Sequence, residues 1–195
     1  MTTKTTPHGV RAELFGDLTE TNAPAASQPL LARARQIFGF VPNLAVAMAA
    51  VPAALESYFH NLQAFGETPL TPIEQQVVLM AVSRVNGAEY SLAIHAGLAM
   101  KLGASPSIVH GVGTGGSVAD IRLGALRAFA ETLTIGRGHV ADHDIEAFLA
   151  AGYDREAVVS VAFGVSIKTF ANALAHLART PVDSAFAPAL ASLRS

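Results

Sequence analysis

The segment from Asn86 to His95, NGAEYSLAIH, carries the residues best suited to chemistry in this chain. In a helix, offsets of three, four and seven residues return to nearly the same angle, so Ala88, Ser91 and His95 share one face. The first turn of such a helix also offers unpaired backbone N–H groups and the positive end of the helix dipole. Because an imidazole has an ordinary pKa of about 6.5, the segment predicts a small-molecule site in which His95 is the acid or base.

Two other segments match the residue spacing of known ligand-binding motifs but lack the structural context that those motifs need. Gly111 to Gly116 matches GxGxxG, but the dinucleotide fingerprint needs a preceding strand and a βαβ unit, which this sequence does not predict. His139 and His143 stand four apart, yet Gly138 precedes them and no third ligand is evident. We interpret both segments as loop or turn residues and expect neither a cofactor nor a metal site.

The composition excludes several classes of function. None of the 195 residues is a cysteine, which rules out disulfides, thiolate metal sites and cysteine-based redox catalysis. A formal net charge of -2 without a basic run predicts no binding to nucleic acid or to an anionic membrane surface. Hydrophobic residues make up 51% and charged residues 14%, whereas about 25% charged is ordinary. We expect the apolar excess to be buried in a homo-oligomer.

The sequence also bears on location. Its N-terminus, Met1 to Arg11, is polar and lacks the apolar stretch of a secretory signal, so we expect a cytoplasmic protein. The most apolar segment, Ala157 to Ile167, is too short to span a bilayer, and Lys168, Asn172 and His176 interrupt its continuation. This segment predicts a buried helix rather than a membrane span.

Apolar residues recur at helical spacing from Ser27 onward, which predicts an all-α chain. The clearest helix start is Thr71-Pro72-Ile73-Glu74, a capping box with proline at the first helical position. That helix should stop at Asn86-Gly87, and the next should follow at once from about Ala88 to Leu102. The two helices should therefore form a tight antiparallel or bent pair.

The rest of the chain predicts one domain. After a flexible loop over residues 111–116, Ser117 should cap the next helix, and Asp154 should cap a long final helix from Arg155 to about Leu177. We divide the chain into a loose N-terminal arm (residues 1–26), a domain (residues 27–186) and a C-terminal tail (residues 187–195).

The run from Leu70 to Gly103, LTPIEQQVVLMAVSRVNGAEYSLAIHAGLAMKLG, resembles the signature of the AhpD-like alkylhydroperoxidase and carboxymuconolactone decarboxylase family. Phe38 to Asn43, Ala147 to Tyr153 and Lys168 to Pro181 look similar as well, so the resemblance covers most of Gln28 to Phe186. It implies an all-α, AhpD-like helical bundle that assembles as a dimer, trimer or hexamer.

The resemblance also identifies a chemistry that this chain lacks. The family's peroxidases carry NGCxxCxxxH at a helix start, where one thiol has a lowered pKa, the second resolves the oxidised sulfur and the histidine relays the proton. Here Ala88 and Ser91 occupy the cysteine positions, and Gln76 occupies the position of the relay glutamate. Only His95 of the relay is kept. The resemblance therefore implies peroxidase activity only if the natural gene has cysteines at positions 88 and 91.

The family's decarboxylases are a non-redox precedent, because they lack the CxxC and keep a histidine at the place of His95. The resemblance thus implies acid/base chemistry of the decarboxylase or lactone type on a small molecule. His95 would be the acid or base, Tyr90 or Ser91 would hydrogen-bond the ligand, and Gln76 would orient His95 or the ligand.

A non-catalytic oligomer that binds a small molecule or has a structural role is the alternative. The two differ in the expected surroundings of the histidine. A proton-transfer enzyme should present His95 to an enclosed polar pocket. A scaffold that has lost catalysis should fill that pocket with Met80, Leu92 or Leu98.

Overall fold

The computed structural model describes residues 14–15 and 18–195. These residues form α-helices, two short 3-10 helices and connecting loops, with no β-strand among them. The predicted all-α class is confirmed for this part of the chain. The α-helices are α1 (Gln28–Phe38), α2 (Asn43–Met48), α3 (Pro52–Gly66), α4 (Pro72–Val85), α5 (Glu89–Lys101), α6 (Pro106–Thr114), α7 (Ile121–Ile135), α8 (Asp142–Ala150), α9 (Arg155–Ala178) and α10 (Ala187–Arg194).

Helix α4 begins with the capping box that the sequence predicts. The Thr71 hydroxyl accepts a hydrogen bond from the Glu74 N–H at 3.3 Å, and Glu74 Oε2 accepts one from the Thr71 N–H at 2.8 Å. Glu74 Oε1 accepts further hydrogen bonds from the Tyr153 hydroxyl at 2.9 Å and from Arg122 Nε at 3.0 Å. These contacts fix the first turn of α4, two residues before Gln76.

Helices α4 and α5 are joined by a tight reversal. Gly87 has a φ of +63°, in the left-handed region that glycine enters without the steric penalty of a Cβ. Ala88 is the N-cap residue of α5, close to the predicted helix start. The two helices pack along their lengths, and this packing brings Gln76 on α4 next to His95 on α5.

Helix α9 packs against α2, α3, α4, α5 and α7. A Cβ on Gly164 would stand 2.8 Å from Val78 Cγ1, so glycine permits the close approach of α9 to α4. By length and composition, α9 is the one helix of the described residues that could cross a membrane. Its inner face lies in the core as predicted, and Lys168 and Asn172 are buried there.

Two predictions around α6 are wrong. Gly111 and Gly113, placed in a flexible loop by the sequence, lie in α6. A Cβ on Gly111 would stand 2.3 Å from the Ser117 carbonyl oxygen, and one on Gly113 would stand 2.6 Å from a Leu193 methyl. These glycines therefore permit close packing. The cap of α7 is Asp120, not Ser117, because a carboxylate both accepts the first-turn N–H and complements the helix dipole.

The segment predicted to be a C-terminal tail forms α10 and packs on α5 and α6. Phe186, Ala189 and Leu193 are buried, and their spacings of three and four place them on one face of this segment. In the predicted N-terminal arm, residues 1–13 and 16–17 lie outside the described residues, and Ala25–Ser27 forms a 3-10 helix. The division into arm, domain and tail stays a prediction.

The outer face of α9 exposes large apolar side chains. Val159, Phe170 and Leu177 are 63%, 44% and 55% exposed, respectively. Such a face is a candidate surface for contact with a second copy of the chain. The expected homo-oligomer stays a prediction.

A stack of three rings supports the start of α4. Phe148 lies between Phe129 and Tyr153, with ring centroids 4.3 Å away on both sides, and is 1% exposed. We predict that Phe148→Ala lowers the free energy of unfolding by about 3–5 kcal/mol, through lost burial and a residual cavity. Urea denaturation measures this change. The neighbouring Leu149→Ala, at a 43% exposed position, is the control, and equal effects of the two substitutions would contradict the prediction.

Candidate functional site

A mostly apolar cavity of about 150 Å³, partly open to solvent, lies beside the α4–α5 pair. Most of its wall is formed by aliphatic and aromatic side chains from α1 to α5. Its lining residues with polar groups are Tyr58, Gln75, Gln76, Tyr90 and His95. The remaining lining residues are Phe38, Pro42, Leu44, Ala45, Phe59, Leu62, Phe65, Leu79, Ile94 and Leu98.

His95 lines this cavity and makes a hydrogen bond through each ring nitrogen. Its Nδ1 lies 2.9 Å from Gln76 Oε1, and its Nε2 lies 2.9 Å from Lys168 Nζ. The imidazole is 5% exposed and Lys168 is 1% exposed. Gln76, His95 and Lys168 thus form a continuous polar chain from the cavity wall into the interface between α5 and α9.

The partners of His95 determine where its proton lies. A carboxamide oxygen only accepts hydrogen bonds, so His95 Nδ1 carries the proton and donates to Gln76 Oε1. His95 Nε2 then has a free lone pair and accepts a hydrogen bond from Lys168 Nζ. This assignment follows from the orientation of the Gln76 amide, and it makes the ring the neutral Nδ1–H tautomer.

Burial makes Lys168 a proton donor suited to neutral pH. No carboxylate forms an ion pair or hydrogen bond with Lys168 among residues 18–195, and burial lowers the pKa of its ammonium to about 7. Burial, and then the charge on Lys168, hold the pKa of His95 well below its ordinary value. Near pH 7 the pair therefore gains or loses one proton at Lys168 while the imidazole stays neutral.

Gln76 and its neighbour Gln75 have different roles. Gln75 Nε2 donates to the carbonyl oxygens of Gly66 and Leu70 at 3.2 and 2.9 Å, which ties α4 to the preceding loop. Gln76 uses its oxygen for His95, whereas its NH₂ group makes no hydrogen bond within the described part of the chain. Gln76 can therefore donate to an oxygen atom of a molecule in the cavity.

The Tyr90 hydroxyl, a predicted ligand contact, is engaged in a structural role. It donates to Asp183 Oδ2 at 2.8 Å and accepts from the Leu44 N–H at 3.1 Å. Burial, together with the nearby Asp183 carboxylate, raises the pKa of Tyr90 above its ordinary value. Its ring lines the cavity while its hydroxyl ties α2 and the segment after α9 to α5.

Ser91, the other predicted ligand contact, is fully buried and does not line the cavity. Its hydroxyl has no hydrogen-bond partner. Of the residues expected to fill the pocket of an inactive scaffold, Leu98 lines the cavity, whereas Met80 and Leu92 belong to the core elsewhere. The cavity is partly open to solvent, and its wall is more apolar than expected for a proton-transfer enzyme.

Sequence reasoning missed the role of Lys168. The available signal was a lysine within an apolar stretch that predicts a buried helix, because buried lysines are rare. His139 and His143, weighed as a metal pair, are both exposed. No cluster of three His, Cys, Asp or Glu residues suited to a metal occurs within the described residues.

The lowered pKa of Lys168 predicts a pH-dependent stability. Between about pH 7 and 10 the unfolded chain binds a proton at this lysine and the folded chain does not, so the free energy of unfolding should rise with pH, by up to about 1.4 kcal/mol per pH unit. Lys168→Met should remove this rise. Urea denaturation from pH 7 to 10 measures it.

The matched control is Lys101→Met, at an exposed position on α5. It should keep the pH dependence of the unsubstituted chain. Parallel stability curves for Lys168→Met and the unsubstituted chain would contradict the prediction.

Comparison with known proteins supports the resemblance seen in the sequence. Residues 49–131 match the model of the carboxymuconolactone decarboxylase family. This segment includes Gln76 and His95 but not Lys168. No protein among curated sequences matches the chain.

Solved structures share the architecture at low sequence identity. A protein described as an uncharacterized peroxidase-related protein from Silicibacter sp. TM1040 is 19% identical, with a TM-score of 0.75 over 87% of this chain and 92% of that one. A protein from Ralstonia eutropha JMP134, described as an alkylhydroperoxidase AhpD core and peroxidase-related, is 20% identical, with a TM-score of 0.77 over 86% and 90%.

The debrominase Bmp8, in complex with 2,3,4-tribromopyrrole, is 18% identical, with a TM-score of 0.75 over 90% of this chain and 95% of that one. At such identities the likeness establishes the fold alone. The chain therefore has the AhpD-like fold, and its residues 49–131 are similar to the carboxymuconolactone decarboxylase family.

Proposed function

We propose that this protein binds a compact, largely apolar small molecule beside His95 and transfers a proton to it without redox chemistry. The chain from Lys168 through His95 to Gln76 carries this proposal, because it connects a proton donor suited to neutral pH with the cavity wall. The proposed reaction class is proton transfer of the decarboxylase or lactone type, as the family name suggests.

The cavity supports a ligand about the size of a single ring. A cavity of about 150 Å³ with aliphatic and aromatic walls is large enough for benzene. The debrominase of the same fold holds 2,3,4-tribromopyrrole, a small ring compound. The ligand would pack its ring against Ile94 and Leu98 and direct one polar group to Gln76 and His95.

In the proposed proton transfer, the neutral imidazole loses a proton at Nδ1 and gains one at Nε2. A ligand atom takes the place of Gln76 Oε1 and receives the proton from His95 Nδ1. At the same time Lys168 Nζ gives a proton to His95 Nε2. The ring stays neutral, Lys168 becomes a neutral amine and the ligand gains one proton. The reverse sequence removes a proton from the ligand.

Gln76 would stabilise the charge that develops on the ligand. Protonation or deprotonation next to a carbonyl passes through an enolate, whose oxygen needs a hydrogen-bond donor. The unpaired NH₂ group of Gln76 is such a donor at the cavity wall. In this proposal Gln76 contacts the reacting molecule, and Lys168 acts through His95.

A second candidate function is binding without catalysis. Both ring nitrogens of His95 already have protein partners, and most of the cavity wall is apolar. A carrier or sensor of a small apolar molecule would need only these features. The two functions differ in whether His95 is required for turnover or only contributes to the cavity wall.

Thiol-dependent peroxidase activity is not expected, although the similar structures include peroxidase-related proteins. Ala88 and Ser91 supply neither an attacking nor a resolving sulfur, and four methionines cannot replace them. We predict no reduction of hydrogen peroxide or organic hydroperoxides by dithiothreitol, lipoamide or a thioredoxin system above the rate without protein. Coupled absorbance assays measure this, and clear turnover would contradict the prediction.

The catalytic role of His95 is tested by deuterium exchange. We predict that the protein accelerates the incorporation of deuterium from D₂O into a β,γ-unsaturated γ-lactone, followed by NMR. His95→Gln keeps the polar contacts but cannot transfer the proton, so it should lower the rate by about 10²–10⁴-fold and leave the melting temperature nearly unchanged. His60→Gln, at an exposed position on α3, is the matched control and should retain the rate.

Ligand binding is measured separately with benzene and pyrrole as NMR probes of the Ile94 and Leu98 methyl groups. Binding without exchange would support the carrier function. If His95→Gln unfolds the protein, or retains the exchange rate, His95 is structural and the catalytic proposal is wrong.

A further inference from the structure

The interface between α5 and α9 contains buried polar atoms without partners. Ser91 is 0% exposed and Asn172 is 1% exposed. The Ser91 hydroxyl and both the oxygen and the nitrogen of the Asn172 amide lack a hydrogen bond. A buried polar group without a partner is costly, and in native proteins it commonly indicates an internal water molecule.

The helix register places these two residues in one layer beside Lys168. Ser91 precedes His95 by four residues on α5, and Asn172 follows Lys168 by four residues on α9, so each pair shares a helix face. Lys168 contacts His95 at one end of this interface, and the His176 ring contacts the Asn86 carbonyl oxygen at the other. The helices are antiparallel here, and Ser91 and Asn172 lie between the two contacts.

We propose that Ser91 and Asn172 bind internal water, which connects Lys168 to solvent. Water both donates and accepts hydrogen bonds, as the two ends of the Asn172 amide require. The Lys168 ammonium has three N–H groups and uses one for His95, which leaves donors for the same water. The water would complete the hydrogen bonding of this layer.

The solvent end of this connection is a cleft of about 300 Å³ at the first turn of α5. Gly87 and Ala88 line it from one side, and His176 and Thr180 line it from the other. The Thr180 hydroxyl is buried and also lacks a partner. Unpartnered polar atoms therefore extend from the Lys168 layer toward this cleft.

The internal water is argued from the buried polar atoms alone, and only its use in proton transfer rests on the proposed function. In the ligand-free protein this water would let Lys168 exchange protons with solvent: the ammonium gives a proton to the adjacent water, that water gives one to the next molecule toward the cleft, and the reverse sequence charges the amine again. Lys168 thereby equilibrates with solvent without passage through the ligand cavity.

A high-resolution crystal structure of the ligand-free protein tests the water directly. We expect ordered water within 3.5 Å of Asn172 and of Lys168 Nζ or Ser91 Oγ. Density in which these side chains pair directly with protein atoms, with no water between them, would overturn the proposal. This test needs no substitution and no substrate.

Proton exchange tests the connection. We expect Asn172→Leu to slow the exchange of the Lys168 ammonium protons with solvent at least about tenfold in NMR spectra, because an apolar side chain of similar size displaces the water. Ser91→Ala, a smaller change, should slow it to a lesser extent. Thr169→Val, on the exposed side of α9, is the control and should leave the rate unchanged.

Unchanged exchange in Asn172→Leu and Ser91→Ala would overturn the proton connection. If Asn172→Leu does not fold, Ser91→Ala and the crystal structure still decide the question. Lactone exchange and probe binding at the cavity are separate measurements. Failure of the catalytic proposal is therefore distinguishable from failure of this one.

Discussion

The contact between Lys168 Nζ and His95 Nε2, 2.9 Å long and fully buried, is the interaction on which the site depends. Removing an ammonium group from water costs several kcal/mol, and no carboxylate compensates Lys168 among the described residues. The cost is reduced because Lys168 loses its proton easily and because the neutral imidazole accepts a hydrogen bond. The same burial that destabilises the charged form makes the pair responsive near neutral pH.

This contact requires three helices to be held in register. Helix α4 supplies Gln76 and is fixed at its first turn by the Thr71 capping box and by the hydrogen bonds to Glu74. Helix α5 supplies His95 and is anchored through the hydroxyl of Tyr90. Helix α9 supplies Lys168 and approaches α4 closely at Gly164. The residues that position the site are therefore mostly structural, and Tyr90 is one of them.

The features that could be predicted from the sequence are those that depend on the local spacing of residues. The Thr71 capping box, the reversal at Gly87 and the all-α class follow from short-range rules, and a resemblance over residues 70–103 led to Gln76 and His95. Lys168 was missed because it lies 73 residues from His95, and its contact depends on how α9 packs. Close packing likewise explains why Gly111 lies within α6, although the glycine content of this segment suggested a loop.

The central claim is that His95 is a neutral Nδ1–H imidazole that receives a hydrogen bond from Lys168 at Nε2. Nitrogen-15 NMR of the His95 ring in the ligand-free protein at pH 7 measures this directly. We expect a protonated Nδ1, an unprotonated Nε2 and a loss of the Nε2 hydrogen bond in Lys168→Met. A protonated Nε2, as either the other tautomer or the imidazolium, would contradict the account, because Lys168 would then have no lone pair to which it could donate.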